Sequence, residues 1–135
     1  MDFYVWKKGE DITFTEHFKS KEFECQCSHA DCIDQKISKK LIENLEKCRQ
    51  EYKHAVIINS GYRCAKHNKE IGGADKSQHM EGKAADTRPK LLTTDTMDEW
   101  IKVLNSTFKA MGIAQSFIHV DVREMEGSIR KVWYY

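Results

Sequence analysis

Apolar residues recur along this chain with two different periods, and the changes of period mark out its elements. Over residues 36–52, Ile37, Leu41, Leu45 and Cys48 fall three or four apart with charges between them, which predicts an amphipathic helix. Ala55-Val56-Ile57-Ile58-Asn59 is a short apolar run rich in β-branched residues, as in a buried strand, and Ser60-Gly61 closes it with a turn. Residues 65–82 hold three glycines and many polar groups, and predict a long loop with one helical turn. Lys83-Ala84-Ala85-Asp86-Thr87-Arg88 predicts a second short strand, stopped by Pro89. Residues 95–111 carry a second helical stripe, Met97, Trp100, Ile101, Leu104 and Phe108. Thr94 is placed to cap its start, and Gly112 stands just past its end. From Ser116 to Arg123 the period drops to two. Ile118, Val120 and Val122 face one way, and Phe117, His119, Asp121 and Arg123 the other. A turn at Glu126-Gly127-Ser128 leads to a last strand, Ile129 to Tyr135. Residues 1–34 have no clear period, and Phe14, Phe18 and Phe23 are expected to anchor them to the body.

Two helices and four strands out of strict alternation predict an α+β fold, with a small, mainly antiparallel sheet and two main helices. Without repeats, linkers or low-complexity stretches, residues 1–135 are expected to form a single domain. The net charge of +1 leaves no electrostatic footprint for nucleic acid. No apolar run reaches membrane-spanning length, so no membrane partner is expected. Met1-Asp2-Phe3-Tyr4-Val5-Trp6-Lys7-Lys8 lacks the basic-then-apolar layout of a secretory signal. Cytoplasmic synthesis is the expectation, with another exit route for any action outside.

Five cysteines leave at least one outside any intramolecular disulfide. Cys25, Cys27 and Cys32 cluster, with His29 between them. The C-x-C-x4-C spacing lacks paired C-x-x-C knuckles, and it admits buried or free thiols, a disulfide, or a structural zinc site. Cys48 lies on the helical stripe and reads as core.

The most telling chemistry is an imidazole and a carboxylate seven residues apart, His79 and Asp86, with a second imidazole at His119. Three nitrogen and oxygen ligands with a fourth position open are what a catalytic zinc needs. His119 and Asp121 share a strand face, and Gly82 lets the chain turn between His79 and Asp86. Zinc held this way lowers the pKa of its water to about 7 and polarises a carbonyl, and amide hydrolysis is the natural use. Singly, each of these residues is more often structural; His17, His54 and His67 read as ordinary surface or packing histidines. No H-E-x-x-H occurs, so the helical zinc-protease motif is excluded.

The run Ser60-Gly61-Tyr62-Arg63, then Asn68, Gly72-Gly73-Ala74, Ser77-Gln78-His79, Gly82 and Ala84-Ala85-Asp86, resembles the zinc D-Ala-D-Ala carboxypeptidase family. Phe117-Ile118-His119-Val120-Asp121-Val122-Arg123 looks like that family's last-ligand segment, and Glu22-Phe23-Glu24-Cys25 like the start of a subfamily found in bacteria and their phages. The likeness runs from about residue 14 to the C-terminus. It implies the fold shared with the hedgehog signalling domain. It also implies zinc as cofactor, with His79, Asp86 and His119 as its ligands. Arg63 matches an arginine that faces the substrate, clamping its carboxylate or steadying an oxyanion; its other reading is a structural ion pair. Ser77 looks like a substrate-side support of the His79 loop, or else makes a local turn hydrogen bond. Many family members place an acidic general base three residues before the last histidine. That position is Ser116 here, which leaves Asp121 as either the base or the acceptor that orients an imidazole, with Glu81 as a further option.

The leading expectation is a monomeric zinc peptidase that hydrolyses peptidoglycan stem peptides, of the D-Ala-D-Ala carboxypeptidase or L-Ala-D-Glu endopeptidase type, with zinc-bound water as nucleophile. A phage or prophage lysis or tail enzyme, an endolysin acting on the cell wall after release, fits it. The rival is a non-catalytic zinc-containing domain that binds wall peptide or a protein partner. A third reading is a redox or zinc-sensing module on Cys25, Cys27 and Cys32.

Overall fold

The computed structural model describes residues 1–127 and 129–135; Ser128, in the turn expected after Glu126, lies outside them. The chain begins with β1 (Phe3–Lys7), β2 (Asp34–Ser38) and α1 (Lys39–Tyr52). It continues with β3 (Val56–Ser60), α2 (Ala65–Glu70), β4 (Ala84–Pro89) and α3 (Thr94–Asn105). It ends with β5 (Ala110–Ile113), β6 (Ile118–Asp121) and β7 (Lys131–Tyr134). β1 and β2 pair by themselves; the other strands form one sheet in the order β3-β4-β6-β5-β7, antiparallel except that β5 runs parallel to β7. The fold class is α+β with mostly antiparallel sheets.

The helices differ from their expected bounds for physical reasons. α1 starts at Lys39 rather than residue 36, because the Ser38 hydroxyl accepts from the Leu41 N–H at 3.2 Å and caps it. Ile37 has the helical spacing but belongs to β2; its side chain is buried, so it lengthens the apolar stripe without being helical. Thr93, not Thr94, caps α3, accepting from the Thr96 N–H at 3.1 Å. That helix ends at Asn105. Phe108 keeps the stripe's spacing and is buried, yet residues 110–113 form a strand between β6 and β7, with Gly112 inside it.

The N-terminal segment, expected to be irregular, contributes β1 and β2. Its aromatics pack as expected: Phe18 and Phe23 are buried, and Phe14 stacks on Tyr4 with ring centroids 4.3 Å apart. The core joins Leu41, Ile42, Leu45 and Cys48 of α1, Trp100 and Leu104 of α3, and Ile118 and Val120 of β6. Each large apolar side chain among these contributes about 1.5–3 kcal/mol by leaving water. Within this core the Trp100 Nε1–H donates to Thr87 Oγ1 at 2.9 Å, and that hydroxyl donates to the Ile118 carbonyl at 3.1 Å. A satisfied buried chain of this kind fixes α3, β4 and β6 to one another, and β4 and β6 carry the candidate site. Among the described residues, no helix is long and apolar enough to cross a membrane.

Candidate metal centre

Antiparallel pairing sets Asp86 on β4 directly opposite His119 on β6, and Ala84 opposite Asp121. His79 comes from the turn that precedes β4, where Gly82 reverses the chain at φ 69°. His79 Nε2 lies 3.2 Å from Asp86 Oδ1, and His119 Nδ1 lies 3.0 Å from the same oxygen. All three side chains are buried. A tetrahedral ion about 2.05 Å from each ligand would hold its donors about 3.3 Å apart, which the two edges to Asp86 nearly match.

The outer faces of the two rings decide what the inner faces can do. His79 Nδ1 is 2.7 Å from the Gly61 carbonyl, which can only accept, so Nδ1 carries the proton and Nε2 turns a lone pair inward. His119 Nε2 is 2.8 Å from Asp121 Oδ2, and a proton there likewise leaves Nδ1 with its lone pair inward. Two lone pairs and a carboxylate oxygen then face one another in a buried space. A donor set so placed suits a shared cation.

Charge around the site is organised to keep both acids ionised. Burial raises the Asp86 carboxyl, but hydrogen bonds and charge from His119 and His79 outweigh it and hold it well below the usual carboxylate range. Burial also raises Asp121, yet Arg123 and His119 bring it down to about 2. Burial lowers the His119 imidazolium, and Asp121 and Asp86 more than reverse that. The Asp121 carboxylate has no exposed side-chain surface. Its Oδ1 accepts from Arg123 Nε at 2.8 Å, and its Oδ2 from Arg123 Nη2 at 2.6 Å, the bidentate fork that suits guanidinium. Arg63 Nη2 donates to Asp86 Oδ2 at 3.2 Å and Arg63 Nε to Ser60 Oγ at 3.2 Å. Two of five guanidinium donors are thereby used.

A cleft of about 440 Å³ opens onto the cluster. Its walls include Arg63, Lys76, Ser77, His79, Asp86, Phe117, His119, Arg123, Trp133 and Tyr135. Ser77 Oγ accepts the His79 N–H at 3.2 Å, a local turn bond that also fixes the His79 loop. Asp86 is the only carboxylate among the described residues lining this cleft. Ser116 is exposed outside its walls, and Glu81, 57% exposed at its side chain, faces Lys83 at 3.7 Å.

Trp133 and Arg123 are parts of the site that sequence patterning did not single out. The Trp133 ring lies 5.3 Å from His119, and the Arg123 guanidinium sits 5.2 Å from the Trp133 ring. Gly112, paired with both His119 and Trp133, makes room: a Cβ there would sit 2.5 Å from Trp133 Nε1. No spacing rule links residues on three strands; the four-residue step from His119 to Arg123 was the only local signal.

A family profile described as Peptidase M15 matches residues 16–121, which contain all three clustered residues and Arg63. No curated protein matches the chain with significance.

Proposed function

The chain belongs to the Peptidase M15 family, a family of zinc-dependent peptidases, and from that premise we propose that it hydrolyses peptidoglycan stem peptides. The bond class is that of a D-Ala-D-Ala carboxypeptidase or an L-Ala-D-Glu endopeptidase. His79 through Nε2, Asp86 through Oδ1 and His119 through Nδ1 would hold the zinc. The observation that carries this reading is their mutual facing as three buried acceptors, with both outer ring nitrogens already engaged. Zinc bound there supplies Lewis acidity, which polarises a scissile carbonyl and makes water nucleophilic at neutral pH.

The chain's own residues do the rest. The Gly61 carbonyl and the Asp121 carboxylate fix the tautomers of His79 and His119. Arg63 balances Asp86 and keeps guanidinium donors for a substrate carboxylate or a developing oxyanion. Of the two jobs open to Asp121, its burial and its Arg123 fork favour positioning His119 over accepting a substrate proton. Cations at Arg63, Lys76 and Arg123 beside Phe117, Trp133 and Tyr135 suit a peptide with several carboxylates and small side chains, as stem peptides are.

The test is mass spectrometry of muropeptides after incubation with zinc-loaded protein. Products cut at one defined bond, and their absence with His79→Ala, are expected. Intact muropeptides across all stem-peptide types would sink hydrolysis. One observation favours a second reading: with Asp86 the only side-chain carboxylate among the described residues lining the cleft, a zinc-holding domain could bind wall peptide without cutting it. That reading expects saturable stem-peptide binding with no product.

A further inference from the structure

Away from the cleft, four cysteines meet. Cys25, Cys27 and Cys32 lie on the segment between Phe23 and β2, and Cys64 stands between Arg63 and α2. All four sulfurs lie within 4.8 Å of one another. Cys27 Sγ and Cys64 Sγ are 3.8 Å apart. Four thiolates at about 2.3 Å around a tetrahedral zinc stand about 3.8 Å apart, so that edge already has its length. His29, between the cysteines in sequence, is not part of the group: its ring turns outward to the Glu70 carboxylate on α2. The fourth member comes instead from 32 or more residues further along the chain.

The surroundings treat these sulfurs as acceptors. Cys25 Sγ receives the Cys64 N–H at 3.3 Å, and Cys64 Sγ the His67 N–H at 3.4 Å. Cys27 Sγ faces Lys8 Nζ at 3.6 Å, and Cys32 Sγ faces Gln35 Nε2 at 3.5 Å. Each sulfur thus has one N–H donor of its own. A neutral thiol is a weak acceptor, whereas metal-bound thiolates are stabilised by donors of this kind.

We propose that Cys25, Cys27, Cys32 and Cys64 together bind a structural zinc ion, distinct from the cluster in the cleft. Four protein ligands leave no open position, which suits a structural rather than a catalytic role. Each thiol gives up its proton on ligation, so binding releases protons and strengthens as pH rises. The site ties the N-terminal segment to the turn that carries Gly61 and Arg63. That turn is also held by the Tyr62 N–H to the Phe23 carbonyl at 2.8 Å, and by the Arg63 N–H to the His79 carbonyl at 3.1 Å. Exposed pairs of Lys66 with Asp31 and of His29 with Glu70 lie across the same seam. Zinc here therefore braces the backbone behind His79 without touching substrate.

The test counts zinc by elemental analysis in reduced, purified full-length protein. Wild type should hold two zinc ions per chain. The double variant His79→Ala/Asp86→Ala should keep one, and with cobalt in its place should show thiolate-to-metal charge-transfer absorption. Cys27→Ser/Cys64→Ser should lose one ion, while Cys48→Ser, the fifth cysteine, should lose none. A single zinc that disappears in His79→Ala/Asp86→Ala would overturn the proposal and leave the cleft reading intact. A single zinc that survives in that variant would uphold the cysteine site and count against the cleft. Should the cysteine double variant fold poorly, zinc release from wild type on thiol modification by a mercurial decides: one ion released upholds the site, and none released overturns it.

Discussion

At the scale of single residues, the candidate site is governed by which atom of each ring carries the proton. Asp121 sits behind His119, not in front of it, so its charge acts through the imidazole. Asp121→Asn should weaken zinc affinity by roughly 10–100-fold while leaving turnover recoverable in excess zinc. Activity titrated with zinc reads this directly. Turnover that stays about 10²-fold down with zinc fully bound would instead make Asp121 the proton acceptor. Arg63 is judged by a different signature. Arg63→Ala should retain zinc and lose activity on the order of 10²-fold, since it removes a charge-assisted contact to developing negative charge. Arg63→Lys should recover only part, because an ammonium cannot reproduce the fork that spans Asp86 and Ser60. Wild-type turnover in Arg63→Ala would reduce the arginine to an ion pair that closes its loop.

At the scale of elements, β6 and β7 bring His119 and Trp133 to one wall of the cleft, and Gly112 on β5 between them is what lets them do so. With a side chain there, Trp133 could not lie across β5 to reach His119. Gly112→Ala should destabilise the fold by about 1–3 kcal/mol, the usual cost of overpacking, as measured by urea unfolding. In a Trp133→Ala background that cost should largely vanish, and an undiminished cost would show that the close approach is not its cause. The same strands show what a sequence can and cannot reveal. α1, α3 and β6 were legible because each carries several apolar residues at its own period, β3 because it is a run of β-branched residues, and β4 because Pro89 marks its end. β5 was not, because Phe108 extends the α3 stripe and no proline or glycine intervenes before the chain leaves the helix. β1 and β2 were hidden because their pairing joins Phe3 to Ser38 across the whole N-terminal segment. The clustered residues were legible through the motif that carries them. Cys64 and Trp133 were not, since their roles exist only once distant segments meet.

At the scale of the whole molecule, the N-terminal segment is held to the body by buried aromatics and by one acidic anchor. Glu46 of α1, with its side chain 11% exposed, accepts the His17 N–H at 2.8 Å, His17 Nδ1 at 2.6 Å and Gln50 Nε2 at 3.2 Å. Burial raises its carboxyl, but the Thr15 hydroxyl and these donors facing it prevail and hold it down to about 2, against 4.5 unperturbed. A carboxyl depressed on folding binds its proton more tightly in the unfolded chain. Its stabilisation is therefore complete above about pH 5, and it is lost as pH falls from about 4.5 toward 2. A depression of this size corresponds to about 3 kcal/mol. Glu46→Gln should thus be less stable than wild type by about that amount at pH 5.5, and the gap should shrink to about a quarter of it by pH 2.5. Taking the difference between the two proteins at each pH cancels whatever acid does to metal binding, which both share. Urea unfolding at the two pH values measures it, and a gap that stays constant between them would show that hydrogen bonding to Glu46, rather than its charge, anchors the segment.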